Sequence, residues 1–156
     1  MEKIKVENMS EYYLTKSVED SKAADILYDK GFISQALYLQ CQSVEKKIKS
    51  ELYKKINPLN RHYHKLSDTH SLKDLMEFLL EITVTDENQK EQMKNQIKDM
   101  LRKMNYSRLN NRLRYPVYDK NYEQYIESCY DRNDYKEIVK NRFEPLKRYV
   151  ESLFKA

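Results

Sequence analysis

The chain has 156 residues, 40% hydrophobic and 35% charged, with one Gly, three Pro and two Cys. That length supports one domain with its own core and not two comfortable ones. The scarcity of Gly and Pro argues against an all-β fold, which needs many tight turns, and for an all-α fold built from a few long helices.

No stretch approaches the roughly 18 to 20 apolar residues of a membrane span. The opening "MEKIKVENMSEYY" lacks an apolar signal-peptide core, so a cytoplasmic location is the expectation. A net charge of +4, with a pI near 8.8, permits a polyanion partner without requiring one. Cys41 and Cys129 are isolated thiols, expected to be reduced, and with three His they make no zinc ligand set. The 14 Tyr are read as core-edge residues with wet hydroxyls rather than as base-stacking groups.

The first helical pattern runs from about Glu7 to Asp29. Tyr13, Ser17, Ala24 and Leu27 recur at helical spacing, and Val18, Ala23, Ile26 and Tyr28 widen the apolar face. Asp20 falls on the same stripe and weakens it. "DKGF" ends the helix, with Gly31 placed as a left-handed cap. The second pattern spans about Ile33 to Ile56, with Ile33, Leu37, Cys41, Val44, Ile48 and Leu52 on one face. Pro58 then breaks it.

"THSLKDLMEFLLEI" reads as a third helix, capped by Thr69 or Ser71 and burying Leu72, Leu75, Met76 and Leu79. Thr85 is the expected cap of a fourth. That helix should run to about Leu109, stop by Arg114 because Pro116 disfavours helix at Tyr115, and bury Met93, Ile97, Met100 or Leu101, and Met104. A short helix is expected around Tyr122 to Tyr130. The last helix starts near Asp134. Tyr135, Ile138, Val139, Phe143, Leu146, Val150 and Leu153 hold phase through Pro145, which predicts one kinked helix rather than two. The expected architecture is an antiparallel bundle of four to five main helices.

Three features stand out from this background. Tyr38, Gln42, Glu45 and Lys49 share one face of the second helix, and Glu45 and Lys49 form an i, i+4 acid–base pair. From spacing alone this is a solvated face. His62 and His64 follow Pro58, and His70 opens the third helix, where its ring is expected to meet an exposed backbone group. Arg112, Arg114, Tyr115 and Pro116 close the fourth helix. There the cations are favoured by the helix dipole, and their fork-shaped donors suit phosphate.

In this order the motifs resemble the HEPN family, the "higher eukaryotes and prokaryotes nucleotide-binding" domains. The resemblance rests on Ala23-Ala24 with Gly31, on Ala36 and "QSVEKKIKSEL" (42–52), on "HSLKDL" (70–75), and on "RYP" (114–116). Gln42, Glu45, Lys46 and Lys49 fill the family's Gln-x-x-Glu-Lys-x-x-Lys run, and His70, Leu72 and Leu75 its His-x-Leu-x-x-Leu. The resemblance implies a compact helical bundle, a homodimer, and either nucleotide binding or metal-independent RNA cleavage. It also implies a minimal nucleotidyltransferase as partner in a toxin–antitoxin pair.

The family's ribonucleases carry an Arg and a His separated by four to six residues. Here those positions hold Val117, Tyr118 and Asp119 after Arg112, and Asp119, Lys120 and Asn121 after Arg114. The standard catalytic pair is therefore missing. The leading expectation is a non-catalytic HEPN-like protein without a cofactor, binding a nucleotide or a partner through Arg112, Arg114, Tyr115, Lys49, Glu45 and His70. The alternatives are a ribonuclease toxin that uses Arg112 or Arg114 with His70, and a purely structural helical partner.

Overall fold

A computed structural model describes residues 3–57, 59–104 and 106–154. It is mostly helical. Helix α1 (Met9–Asp29) follows a single turn at Val6–Asn8 and is succeeded by α2 (Ile33–Lys55). A turn at Arg61–Tyr63 leads into α3 (His64–Asp68), α4 (Leu72–Thr83), α5 (Glu87–Met104) and α6 (Tyr106–Arg114). Strands β1 (Val117–Asp119) and β2 (Gln124–Ile126) come next, then α7 (Arg132–Ile138), a π turn (Val139–Phe143) and α8 (Glu144–Phe154). Pro58, the expected breaker of the second helix, lies outside the described residues, as does Asn105 between α5 and α6.

The long helices α1 and α2 form a tight antiparallel pair, and small residues make it possible. Ser10, Ser17 and Ala24 stand seven apart on α1, facing Ser50, Ser43 and Ala36 on α2. The Ser17 hydroxyl donates to the Ser43 carbonyl at 2.7 Å, and that of Ser43 returns to the Ser17 carbonyl at 2.8 Å. Ser10 and Ser50 exchange the same pair of bonds at 2.9 and 2.8 Å. Only residues this small let one helix's side chain reach the other's main chain. Asp20, the misfit in the α1 stripe, is resolved here by an ion pair with Lys46. Val18 and Ile26 remain exposed, so the apolar face of α1 is narrower than its sequence suggests.

At the corner between these helices Gly31 has φ 85°, as its cap role requires. Phe32 N–H donates to the Leu27 carbonyl at 2.9 Å and Gly31 N–H to that of Tyr28 at 3.0 Å, the double bond pattern of a Schellman cap. No atom lies within 4 Å of where a Cβ would stand. Gly31→Ala is therefore expected to cost only the backbone term, about 1 kcal/mol. Urea denaturation measures it, and an unchanged midpoint would mean the left-handed cap does not form in solution.

Helix α2 is the central element, touching α1, α4, α6, α7 and α8. All six residues of its expected apolar face are buried. Leu72, Leu75, Met76 and Leu79 of α4 are buried against the same core, and α5 packs on α4 with its Ile97 and Met104 buried in that core. Met93, Met100 and Leu101 are only half-buried. Ser71 caps α4, accepting from the Asp74 amide at 3.2 Å. The cap of α5 is Asp86 and not Thr85: its carboxylate accepts from the Gln89 amide at 2.7 Å.

Two expectations are corrected in the last third. Where a short helix was expected around Tyr122 to Tyr130, β1 and β2 pair antiparallel, Val117 opposite Ile126 and Tyr118 opposite Tyr125. Aromatic and β-branched residues suit this geometry, and Glu123 at φ 50° closes the turn. The helical run from Arg132 to Phe154 is unbroken, as the phase of its apolar residues predicts, but its irregularity is the π turn just before Pro145. A wider turn there accommodates a residue that cannot donate to the preceding turn. Phe143, Leu146 and Val150 consequently stay buried.

Cys41 sits fully inside, and burial pushes its thiol up to about 12, while Cys129 is exposed. At pH 8 a colorimetric disulfide reagent should titrate one thiol in the native protein and two in denaturant. Two fast thiols in the native protein would contradict this packing.

Candidate functional site

Helix α2 supplies the base of the site. Glu45 and Lys49, expected on a solvated face, are buried, each with about 3% of its side chain exposed. The correction has a simple cause: α2 is surrounded on several sides, so even its polar stripe is covered. Lys49 Nζ donates to Glu45 Oε1 at 2.8 Å and stands 5.8 Å from the centre of the Tyr13 ring. Tyr13 in turn stacks on Tyr53, and burial holds its hydroxyl well above the ordinary range.

His70, just ahead of α4, reaches back to this pair. Its Nδ1 lies 3.1 and 3.2 Å from the two oxygens of Glu45. The ring therefore meets a buried carboxylate and not a backbone group. A carboxylate oxygen only accepts, so in this contact the ring donates from Nδ1 to Glu45. The ring remains 58% exposed. Buried Glu45 thus orients an imidazole whose other side is open to a cleft.

That cleft, about 540 Å³, is lined by His70, Ser71, Leu72 and Lys73 at the start of α4, by Lys98, Leu101 and Arg102 of α5, and by α6. On α6, Tyr106, Asn110 and Arg114 stand four residues apart and share one face. The Tyr106 hydroxyl donates to the Cys41 carbonyl at 3.1 Å, fixing the floor. Beside His70, four side chains bring positive charge: Lys98 and Arg114, and Lys73 and Arg102, which also pair with Glu77 and Asp99. No carboxylate occurs among the described lining residues. The positive end of the α4 dipole adds to this field. Such an arrangement attracts anions and gives a guanidinium for bidentate contact.

The expected site residues divide. His70 and Arg114 line the cleft, and Glu45 and Lys49 stand behind His70. Arg112 does not join them. Two residues along a helix turn it by about 200°, and Arg112 lines separate hollows with Tyr118, Lys120, Asp134 and Glu137. Tyr115 is 62% exposed, with the Arg114 guanidinium 5.5 Å from its ring centre. Tyr38 and Gln42 are half-buried.

The sequence did not single out Lys73, Lys98, Arg102 or Asn110. Lys98 and Arg102 are an i, i+4 pair of cations on a helix with many charges, which gives no local signal. Among the described residues no group of three or more His, Cys, Asp or Glu is placed to hold a metal ion, and no helix is long and apolar enough to cross a membrane. No family model, curated protein or solved structure matches the chain.

Proposed function

We propose that this is a HEPN-like protein, a compact bundle of four to five main helices, that binds a nucleotide in the cleft between α4, α5 and α6 without cutting RNA. The observation that supports the reading is the convergence of His70 and Arg114, residues of two separate motifs, on one cation-lined cleft. The cations take the phosphate, and Leu72, Leu101 and Tyr106 offer apolar surface to a base. As the resemblance implies, the protein works as a homodimer beside a minimal nucleotidyltransferase in a toxin–antitoxin pair, and it does so in the cytoplasm.

A second reading, a metal-independent ribonuclease, is favoured by the contact between Glu45 and His70. In that reading oriented His70 would move the proton and Arg114 would stabilise the phosphoryl charge. One experiment separates the two. Purified protein is titrated with nucleoside monophosphates and, separately, incubated with RNA, both in EDTA. The binding reading expects saturable binding and intact RNA. Cleavage that is lost in both His70→Ala and Arg114→Ala would replace it with the ribonuclease reading.

A further inference from the structure

Among the described residues, β1 and β2 make up the whole of their sheet, so each strand keeps one edge without a partner. Val117 and Ile126 oppose each other on one side of it, and Tyr118 and Tyr125 on the other, their rings 5.3 Å apart. These four and Tyr122, at the turn, are 42–72% exposed. The hairpin therefore shows large apolar side chains to water on both faces. Neither strand packs extensively on a helix. A two-stranded hairpin alone is marginal in water and is stabilised by further strands or by a cover on its apolar face.

Three observations select the cover. The first is shape. Arg112 of α6 and the hairpin residues Val117, Tyr118, Asp119, Lys120 and Ile126 line a hollow of about 280 Å³. A cavity of about 150 Å³ already admits a benzene ring, so one surface carries both projecting tyrosines and a place for a ring. The lining includes Asp119, an acceptor for a phenol hydroxyl, and Arg112, a cation for a ring face. The second is charge. Arg112, Lys120, Glu123 and Glu127 form no ion pair among the described residues. Two cations and two anions let the surface meet itself across a two-fold axis, where a face of one sign would repel its copy. The same balance disfavours a polyanion. The third is area. At about 150–250 Å² for each buried aromatic side chain, the five exposed residues offer on the order of 500 Å² per copy, most of the roughly 800 Å² per partner in a standard interface.

We infer that the hairpin of β1 and β2 is the contact surface between two copies of this chain, each seating a hairpin tyrosine of its partner in the hollow beside Arg112. This rests on the homodimer of the proposed function and is independent of nucleotide binding. The cover is a second hairpin, and the contact joins knob to hollow and cation to anion twice over.

The test is sedimentation of the whole chain over a range of concentrations. The unsubstituted protein is expected to reach twice 19.0 kDa. Tyr125→Glu and, separately, Ile126→Glu are expected to weaken self-association by about 100-fold or more, since a charge then enters the centre of the contact. Val18→Glu, at an exposed apolar residue of α1, is expected to leave it unchanged. Hydrogen exchange of the unsubstituted protein needs no variant to fold: the β1 and β2 amides are expected to slow as concentration rises through the dissociation constant. A dimer that persists in both hairpin variants, or hairpin exchange that ignores concentration while the dimer forms, overturns the inference and leaves the homodimer standing. A monomer at every concentration overturns the inference and the homodimer together, and leaves the nucleotide-binding reading untouched.

Discussion

Replacing Glu45 by Ala is expected to lower the stability of the fold by about 3–5 kcal/mol, the usual cost of breaking a buried ion pair by removing one member. Both side chains are nearly sealed from water, and Lys49 Nζ lies 2.8 Å from Glu45 Oε1. Without Glu45 the ammonium keeps its burial and loses the carboxylate 2.8 Å away. Replacing both partners by apolar residues, Glu45→Leu with Lys49→Met, removes the two desolvation penalties together and should recover most of the loss. Urea denaturation of the three proteins gives the comparison. A single variant within about 0.5 kcal/mol of the parent would show the pair to be solvated. A double variant no better than the single one would assign the cost to lost packing. The pair also bears on the site, since Glu45 holds the His70 ring. The double variant should fold and yet leave that ring without its carboxylate partner.

The second large effect separates two neighbouring arginines. Arg114→Ala is expected to weaken AMP binding by about 10- to 100-fold, the range for a lost charge-assisted contact of about 1.5–3 kcal/mol. Arg112→Ala should leave it within about twofold, allowing for the long-range loss of one charge across solvent. The basis is placement: Arg114 lines the cleft and Arg112 lines hollows on another face of the same helix. Their charges are identical and their sequence positions nearly so, which controls for net charge and for the helix end. Binding measured by calorimetry at fixed ionic strength decides it. Equal losses in both variants would place the phosphate outside the cleft.

Much of the helical layout was legible in the sequence. The apolar faces of α2 and α4 follow from spacing alone, because a helix must turn one stripe toward its neighbours. Gly31 was legible for a different reason: the chain has one glycine, and it stands where a helix must stop with φ positive. The hairpin of β1 and β2 was not. Three-residue strands give no period to read, and tyrosines suit either state. The seven-residue spacing of Ser10, Ser17 and Ala24 against Ser50, Ser43 and Ala36 was present in the letters. Ser17 was legible on the packed stripe of α1, but only the antiparallel pairing gives these hydroxyls the opposite main chain to bond.

The site divides along the same line. By itself the sequence determined which residues could carry chemistry, His70, Arg112 and Arg114 among them, and that no His follows either arginine at the ribonuclease spacing. Those are facts of residue type and local order. The tertiary structure alone decided that Glu45 and Lys49 are buried, that His70 meets Glu45, and that Arg114 shares its cleft while Arg112 does not. Each depends on which helices cover α2 and at what rotation α6 lies against it. Periodicity within one helix fixes its own faces but carries no record of what another segment places opposite them.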